Sequence, residues 1–291
     1  IDADGVTALV RDESYHGRFA GNLERVELYG GLEPGTFLEM YDADLLDVIH
    51  LGLLRSRDAG TWAQQRHAGE YVSGPWLRTI YLSFNASRPP FHDPRVRRAL
   101  AVALDRDELA RHVLNGYEVA ATGGFVPPGM PGHTPGIGLP YDPDEARHLL
   151  AAAGYPAGRG WPAIQARAFG TALFEATKEW LQARWREVLG IEVEWQPLEW
   201  GQSQDTRTSG TDLLFGGWVA DYPDPDNFLR VALAQMGLLG ADDEVTGLLE
   251  KARCATNQPD RLALYGLADR QLMAGGLVAP LLYGRLHLLV K

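Results

Sequence analysis

An α/β fold is the class this sequence predicts, on three observations. Strand-like and helix-like patterns alternate along all 291 residues. Several helices declare their starts with an acidic cap followed by proline, as at Asp93-Pro94 and Asp142-Pro143. Composition is that of a globular chain, since 45% hydrophobic and 22% charged residues exclude bulk disorder. The length suits one large or two ordinary domains.

Taken in order, Val26 to Tyr29 reads as a strand closed by Gly30-Gly31. A helix is expected after Pro34, with Phe37, Leu38, Tyr41 and Leu45 at helical spacing. Leu46 to Ile49 is a short strand, residues 57–70 a polar helix, and Thr79 to Phe84 a strongly β run ending at Asn85. Asp93 and Pro94 then open a helix over 94–104. Asp105 with Glu108 forms a capping box for the next, which carries Leu109, Val113 and Leu114. Residues 116–141 are rich in Gly and Pro and read as a long ordered loop or a linker. Asp142, Pro143 and Glu145 start another helix, which Gly154 stops. A longer helix over 171–189 puts Phe174, Leu181, Trp185 and Val188 on one stripe, with Gly190 just past its end. Ile191, Val193 and Trp195 alternate with polar residues as a half-buried strand does, and Leu213 to Phe215 is a buried-type strand. Helices over 243–253 and 259–274 precede a closing apolar strand, Pro280 to Val290. No internal repeat is visible.

Several function classes are excluded or disfavoured. A net charge of −11 argues against a binder of nucleic-acid backbones, whose footprint is basic. The basic residues are nearly all arginine, with only Lys178, Lys251 and Lys291 as lysines, a bias that names no partner. Cys254 is the single cysteine, so there is no disulfide framework and no thiolate-rich metal site. No GxSxG, HExxH or phosphate-cradling Gly-Lys motif occurs, and Gly136-Ile137-Gly138 lacks the third glycine of a dinucleotide loop. The eight histidines are scattered singly, so neither a metal nor a cofactor is expected. No apolar run approaches the ~20 residues of a membrane span. Ile1-Asp2-Ala3-Asp4 has no leader features, which fits either a cytoplasmic protein or a mature or excised segment, and the lack of an initiator methionine favours the second.

The densest polar cluster is Asp221-Tyr222-Pro223-Asp224-Pro225-Asp226-Asn227. Its two prolines and missing central glycine break a calcium-loop pattern. Asp224 and Asp226 read as turn residues, with Asp226 capping the helix that begins at Asn227. Asp221 differs, because it follows a strand end beside Gly217 and Trp218. Ligand sites in α/β folds gather at the carboxyl ends of strands. A carboxylate and an aromatic there suit an amine-bearing ligand.

Gly217-Trp218-Val219-Ala220-Asp221-Tyr222-Pro223-Asp224-Pro225 with Phe228-Leu229 resembles the signature segment of family 5 extracellular solute-binding proteins, the peptide receptors of ABC importers. Tyr81 to Asn85 with Pro90-Phe91, then Asp93 to Leu100 and Ala103 to Arg106, is similar to that family's hinge strand and first lobe-two helix. Pro127-Pro128-Gly129, Tyr141-Asp142-Pro143 through Tyr155, and Leu189 to Val193 with Glu199-Trp200 extend the match in the family's order. At the front, Val6 to Val10 with Asp12, Tyr15 and His16 resembles a family strand and Asn-x-x-Tyr-Trp segment in which Asp12 and His16 depart from the pattern. The resemblance implies a type II periplasmic-binding-protein-like fold, with two α/β lobes closing on a ligand. It also implies that family members carry an N-terminal half absent here. One complete lobe plus part of the second is therefore expected: residues 1–84 as partial lobe one, 85–280 as lobe two, and 281–291 as a crossover strand back toward lobe one.

By the same resemblance, Asp221 stands where peptide-binding members hold a ligand's α-amino group, against the alternative that it bonds backbone amides in its turn. Trp218 is placed either to stack on ligand or to pack the core. Asn85 either bonds ligand backbone at the hinge or terminates its strand. Tyr222, beside Asp221, and Phe125, on the glycine-rich loop, complete the candidate set, while Trp180, Trp185 and Trp195 read as packing. The implied role is a non-catalytic receptor for a peptide or similar small solute, outside the cytoplasm and serving an ABC permease. The alternative is a ligand-sensing domain of a larger regulator, cytoplasmic in that case.

Overall fold

In the computed structural model the chain is described over residues 6–17, 21–53, 59–169, 172–199, 205 and 209–291. Ile1 to Asp4, Trp200 and positions 57, 58 and 171, on which sequence expectations fell, lie outside them. The described residues form two compact units. One runs to Tyr71 and takes in Leu288–Lys291; the other is Val72–His287.

In the first unit, β1 (Val6–Val10) pairs antiparallel with β2 (Arg25–Tyr29), Val6 facing Tyr29 and Val10 facing Arg25. This ribbon leaves Leu9, Val10 and Leu28 exposed. After Pro34 comes α1 (Pro34–Asp42), followed by β3 (Val48–His50) and α2 (Ala59–Arg66). The expected strand at 46–49 begins two residues later because Leu46 turns in to the core with Tyr41, Ile49, Leu51, Ala63 and Leu289. β3 is antiparallel to the chain's last strand, Val48 facing Val290 and His50 facing Leu288.

The long strand β4 (Tyr71–Phe84) leads into the second unit. It is followed by α3 (Pro94–Val102), α4 (Arg106–Glu108) running into a π turn over Leu109–Val113, β5 (Val119–Ala120) and α5 (Pro143–Ala152). Next come β6 (Ala166–Phe169), α6 (Ala172–Leu189), β7 (Trp195–Leu198) and β8 (Leu213–Val219). A π turn over Asn227–Ala232 enters α7 (Leu233–Gln235), and α8 (Asp243–Cys254), α9 (Gln258–Gly275) and β9 (Val278–Val290) finish the chain. The unit's sheet runs β9-β4-β8-β6-β7, with β5 added on β9. β8 is antiparallel to β4 and parallel to β6, which is parallel to β7.

Alternation along β4 places helices on both faces of this sheet. Ile80, Leu82 and Phe84 enter one core with Leu100 of α3, Leu150 of α5 and Trp185 of α6. Tyr81 enters the other with Leu249 of α8 and Leu272 of α9. Expected caps form: Asp93 accepts from the Arg95 N–H at 2.8 Å, Asp105 from Asp107 and Glu108, and Asp142 from Asp144 and Glu145. Gly190 takes φ +69° at the end of α6, as a residue after a helix C-terminus does.

Two expectations change, one strand is added, and one open alternative is decided. The strand expected from Ile191 starts only at Trp195. Before it, the Val193 N–H donates to Gln182 Oε1 at 2.8 Å and Gln182 Nε2 to the Ile191 carbonyl at 3.5 Å, so α6 takes groups a ladder would use. β6 was not anticipated, because two of its four residues are alanine. Asp226 makes no capping bond; the Asp224 carboxylate instead accepts from the Asp226 N–H at 2.9 Å. The glycine- and proline-rich stretch is an ordered loop. Ala121 N–H donates to the Leu281 carbonyl at 3.0 Å, Gly138 N–H to Thr122 at 3.1 Å, and Phe125 N–H to the buried Asp269 carboxylate at 2.8 Å. Gly124 is required there, because a Cβ would stand 1.9 Å from Asp269 Oδ2.

Candidate ligand-binding site

The end of β8 positions the site. Trp218 faces Thr79 across the ladder, and the Ala220 N–H donates to the Leu77 carbonyl at 2.8 Å, which holds the chain to β4 until it turns. Trp218 is buried and Asp221 exposed. Between them lies Asn227, with no exposed surface. Its Oδ1 accepts from Trp218 Nε1 at 2.8 Å and from the Asp221 N–H at 3.2 Å; its Nδ2 donates to Asp221 Oδ2 at 3.0 Å. Among the described residues no hydrogen bond reaches Asp221 Oδ1, so the carboxylate keeps one oxygen for a donor from outside.

The other acids of the segment are already satisfied. Asp224 takes both arms of Arg261 at 2.7 and 2.8 Å, and these bonds hold its carboxyl below the usual range against the effect of burial. Asp226 receives Arg230 at 2.8 and 2.5 Å and the Tyr265 hydroxyl at 2.9 Å. Burial pushes Asp226 up, and the bonds from Arg230 and Tyr265 outweigh it, leaving a carboxyl below its ordinary value. Tyr222 is exposed and its hydroxyl donates to Asp226 Oδ2 at 3.2 Å. Burial raises the Tyr222 hydroxyl's pKa. Arg78, opposite Val219, carries a positive group to the same end of the sheet and pairs with the buried Glu118, whose carboxyl burial pushes up.

The fold thus gathers Trp218, Asp221 and Tyr222 around the first helical turn after β8. Asn85 lies elsewhere. Its N–H donates to the Asp212 carbonyl at 2.9 Å, at the opposite end of the β4–β8 pair. Six residues of extended chain separate Asp212 from Trp218, about 20 Å. The Asn85 side chain is buried, accepting from Ser87 N–H at 3.1 Å and Ser87 Oγ at 2.6 Å and donating to the Thr211 carbonyl at 3.3 Å. Phe125 has no exposed surface; it packs edge-on against Tyr81 and Phe228, with ring centroids 5.2 and 5.4 Å away, and its carbonyl accepts from Thr79 Oγ1 at 2.9 Å.

Asn227 is the member that sequence reasoning missed. Its position at a helix start concealed it; its spacing of six from Asp221 was the one available signal. Among the described residues no group of three or more His, Cys, Asp or Glu side chains could hold a metal ion, and no helix is long and apolar enough to cross a membrane.

The chain is 33% identical over 219 residues to the "Probable di/tripeptide-binding protein 5" of Pseudomonas aeruginosa, which covers 71% of this chain and 40% of that protein. It is 30% identical over 224 residues to the "Periplasmic oligopeptide-binding protein OppA" of Escherichia coli, covering 72% and 40% respectively. The chain thus spans about 40% of these relatives' length. Among solved structures, NikA from Brucella suis in complex with Fe(III)-EDTA superposes with a TM-score of 0.79 at 25% identity, over 99% of this chain and 61% of that one. Residues 2–237 match the model of the bacterial extracellular solute-binding proteins, family 5 middle region. With the Gly-Trp-to-Pro signature sitting where an α/β sheet presents ligands, and that model covering most of the chain, the protein belongs to the family 5 bacterial extracellular solute-binding proteins.

Proposed function

We propose that this chain supplies the amine-anchoring part of a receptor that captures a small peptide outside the cytoplasm, for delivery to an ABC permease. Val72–His287 is then the second lobe and the first unit a portion of lobe one. The receptor binds by closure and makes or breaks no bond. The observation that carries this reading is Asp221, an exposed carboxylate with one oxygen fixed by a buried amide and the other unengaged, at the carboxyl end of a central strand. Its charge chooses among the relatives' ligands. An ammonium gains a charge-assisted bond there, whereas an anionic chelate such as Fe(III)-EDTA is repelled. Two relatives named for peptides support the same choice. None of those reported is named as a regulator, and no observation favours the sensing alternative.

The test is equilibrium dialysis of the complete protein against an equimolar tripeptide mixture and its N-acetylated counterpart, with retained peptides read by mass spectrometry. The free-amine peptides should be retained about tenfold more tightly, and Asp221→Ala should remove that preference. An unchanged preference in Asp221→Ala would overturn the anchor assignment.

A further inference from the structure

Asn227 holds the Asp221–Trp218 pair through an arrangement that only an amide satisfies. Two N–H groups, from the Trp218 indole and the Asp221 backbone, converge on Oδ1 and use its acceptor capacity, while Nδ2 donates to Asp221 Oδ2. Turning the amide over would set its NH₂ against both N–H donors and its oxygen against the carboxylate. The network therefore fixes which way Asn227 points, in a place with no exposed surface.

We infer that Asn227 is a positioning residue that orients the Asp221 carboxylate, so that the site selects a primary ammonium over an acylated nitrogen. This rests on the amine-anchor reading above. An exposed carboxylate free to rotate binds an ammonium weakly, because solvent screens the charge and ordering the side chain costs entropy. One hydrogen bond from a buried amide removes much of that rotation before ligand arrives. The indole bond makes Trp218 part of the same support: it locks the amide that locks the acid.

The experiment uses the same two peptide mixtures with the complete protein and a double-mutant cycle. Asn227→Ala should lower the free-amine to N-acetyl preference about tenfold with little change in retention of the acetylated peptides. In an Asp221→Ala background it should have no further effect on that ratio. Asn227→Ser, a small polar replacement whose hydroxyl stops one bond short of both the indole and the carboxylate, is the second variant and should show the same loss. Trp218→Phe should produce a smaller loss of the same kind. A purely structural role would weaken both peptide classes alike, and that result overturns the inference, as does an unchanged ratio in both Asn227 variants. If Asp221→Ala removes the preference while the Asn227 variants keep it, the positioning role fails and the anchor stands. If Asp221→Ala keeps the preference, or if the wild type retains neither mixture, the amine reading fails and takes this inference with it.

Discussion

Arg106 shows how single buried groups are satisfied in this chain. Its guanidinium is almost wholly buried, and burial pulls its pKa down to about 10. Rather than bonding a carboxylate, it donates to three carbonyls: Pro280 at 2.7 Å, Leu139 at 3.1 Å and Leu104 at 3.4 Å. These join the start of α4, the proline-rich loop and the start of β9. Arg106→Leu strips donors from all three and should cost about 3 kcal/mol, read as a lower urea midpoint. Arg106→Lys should recover less than half of that, since a single ammonium cannot reproduce the fork. Trp185 follows the same logic, with its indole N–H on the Leu100 carbonyl at 3.0 Å inside the first core. Trp185 was legible as a packing residue on its helix stripe, Arg106 only as a type. An arginine at the first position of a helix gives no hint that it faces inward, and its distant partners lie 33 and 174 positions away.

The loop between β5 and α5 depends on one carboxylate of α9. Asp269 accepts from the Phe125 N–H at 2.8 Å and the Val126 N–H at 3.4 Å, and Thr79 Oγ1 and Tyr283 hold the neighbouring carbonyls. Burial pushes the Asp269 carboxyl up to about 7, against those two N–H bonds. A folded-state value above the unfolded one, about 4, means that the folded protein holds the proton more tightly. The stabilisation from Asp269 is thus complete below about pH 4 and is lost as pH rises through 7. Asp269→Asn should flatten the part of the stability profile that falls between pH 4 and 7, measured by urea unfolding at pH 5 and pH 8. An identical slope in wild type and variant would contradict this. The loop's Gly and Pro content announced many turns, and nothing in the helix expected over 259–274 singled out Asp269. What makes the loop ordered is the approach of α9 from about 140 residues downstream.

At the level of the whole chain, the two units differ in self-sufficiency. Val72–His287 contains both large cores, one on each face of its sheet, whereas among the described residues the first unit packs around six buried apolar ones and leaves the β1–β2 ribbon largely exposed. A fragment spanning residues 72–287 should therefore unfold in one cooperative transition, with far-UV circular dichroism and tryptophan fluorescence coincident. Non-coincident curves would show that the sheet needs the first unit. The peptide-capture proposal belongs to the complete protein, because this chain spans about 40% of its curated relatives' length.

Local chemistry in the chain was enough to place most helices, several strands and the candidate anchor. Caps at Asp93, Asp105 and Asp142 act through neighbours two or three residues away, so their effect is written next to them. The α/β class follows from period and punctuation, and the signature around Trp218 and Asp221 is a contiguous string. Long-range placement was not legible. Asn85 and Asp221 looked like companions, and the antiparallel register of β4 and β8 sends them to opposite ends. Asn227 looked like a helix start, and the turn after β8 folds it back beneath Asp221. A string of residues specifies its own backbone preferences; which distant polar groups meet is settled only when the sheet pairs and the cores close.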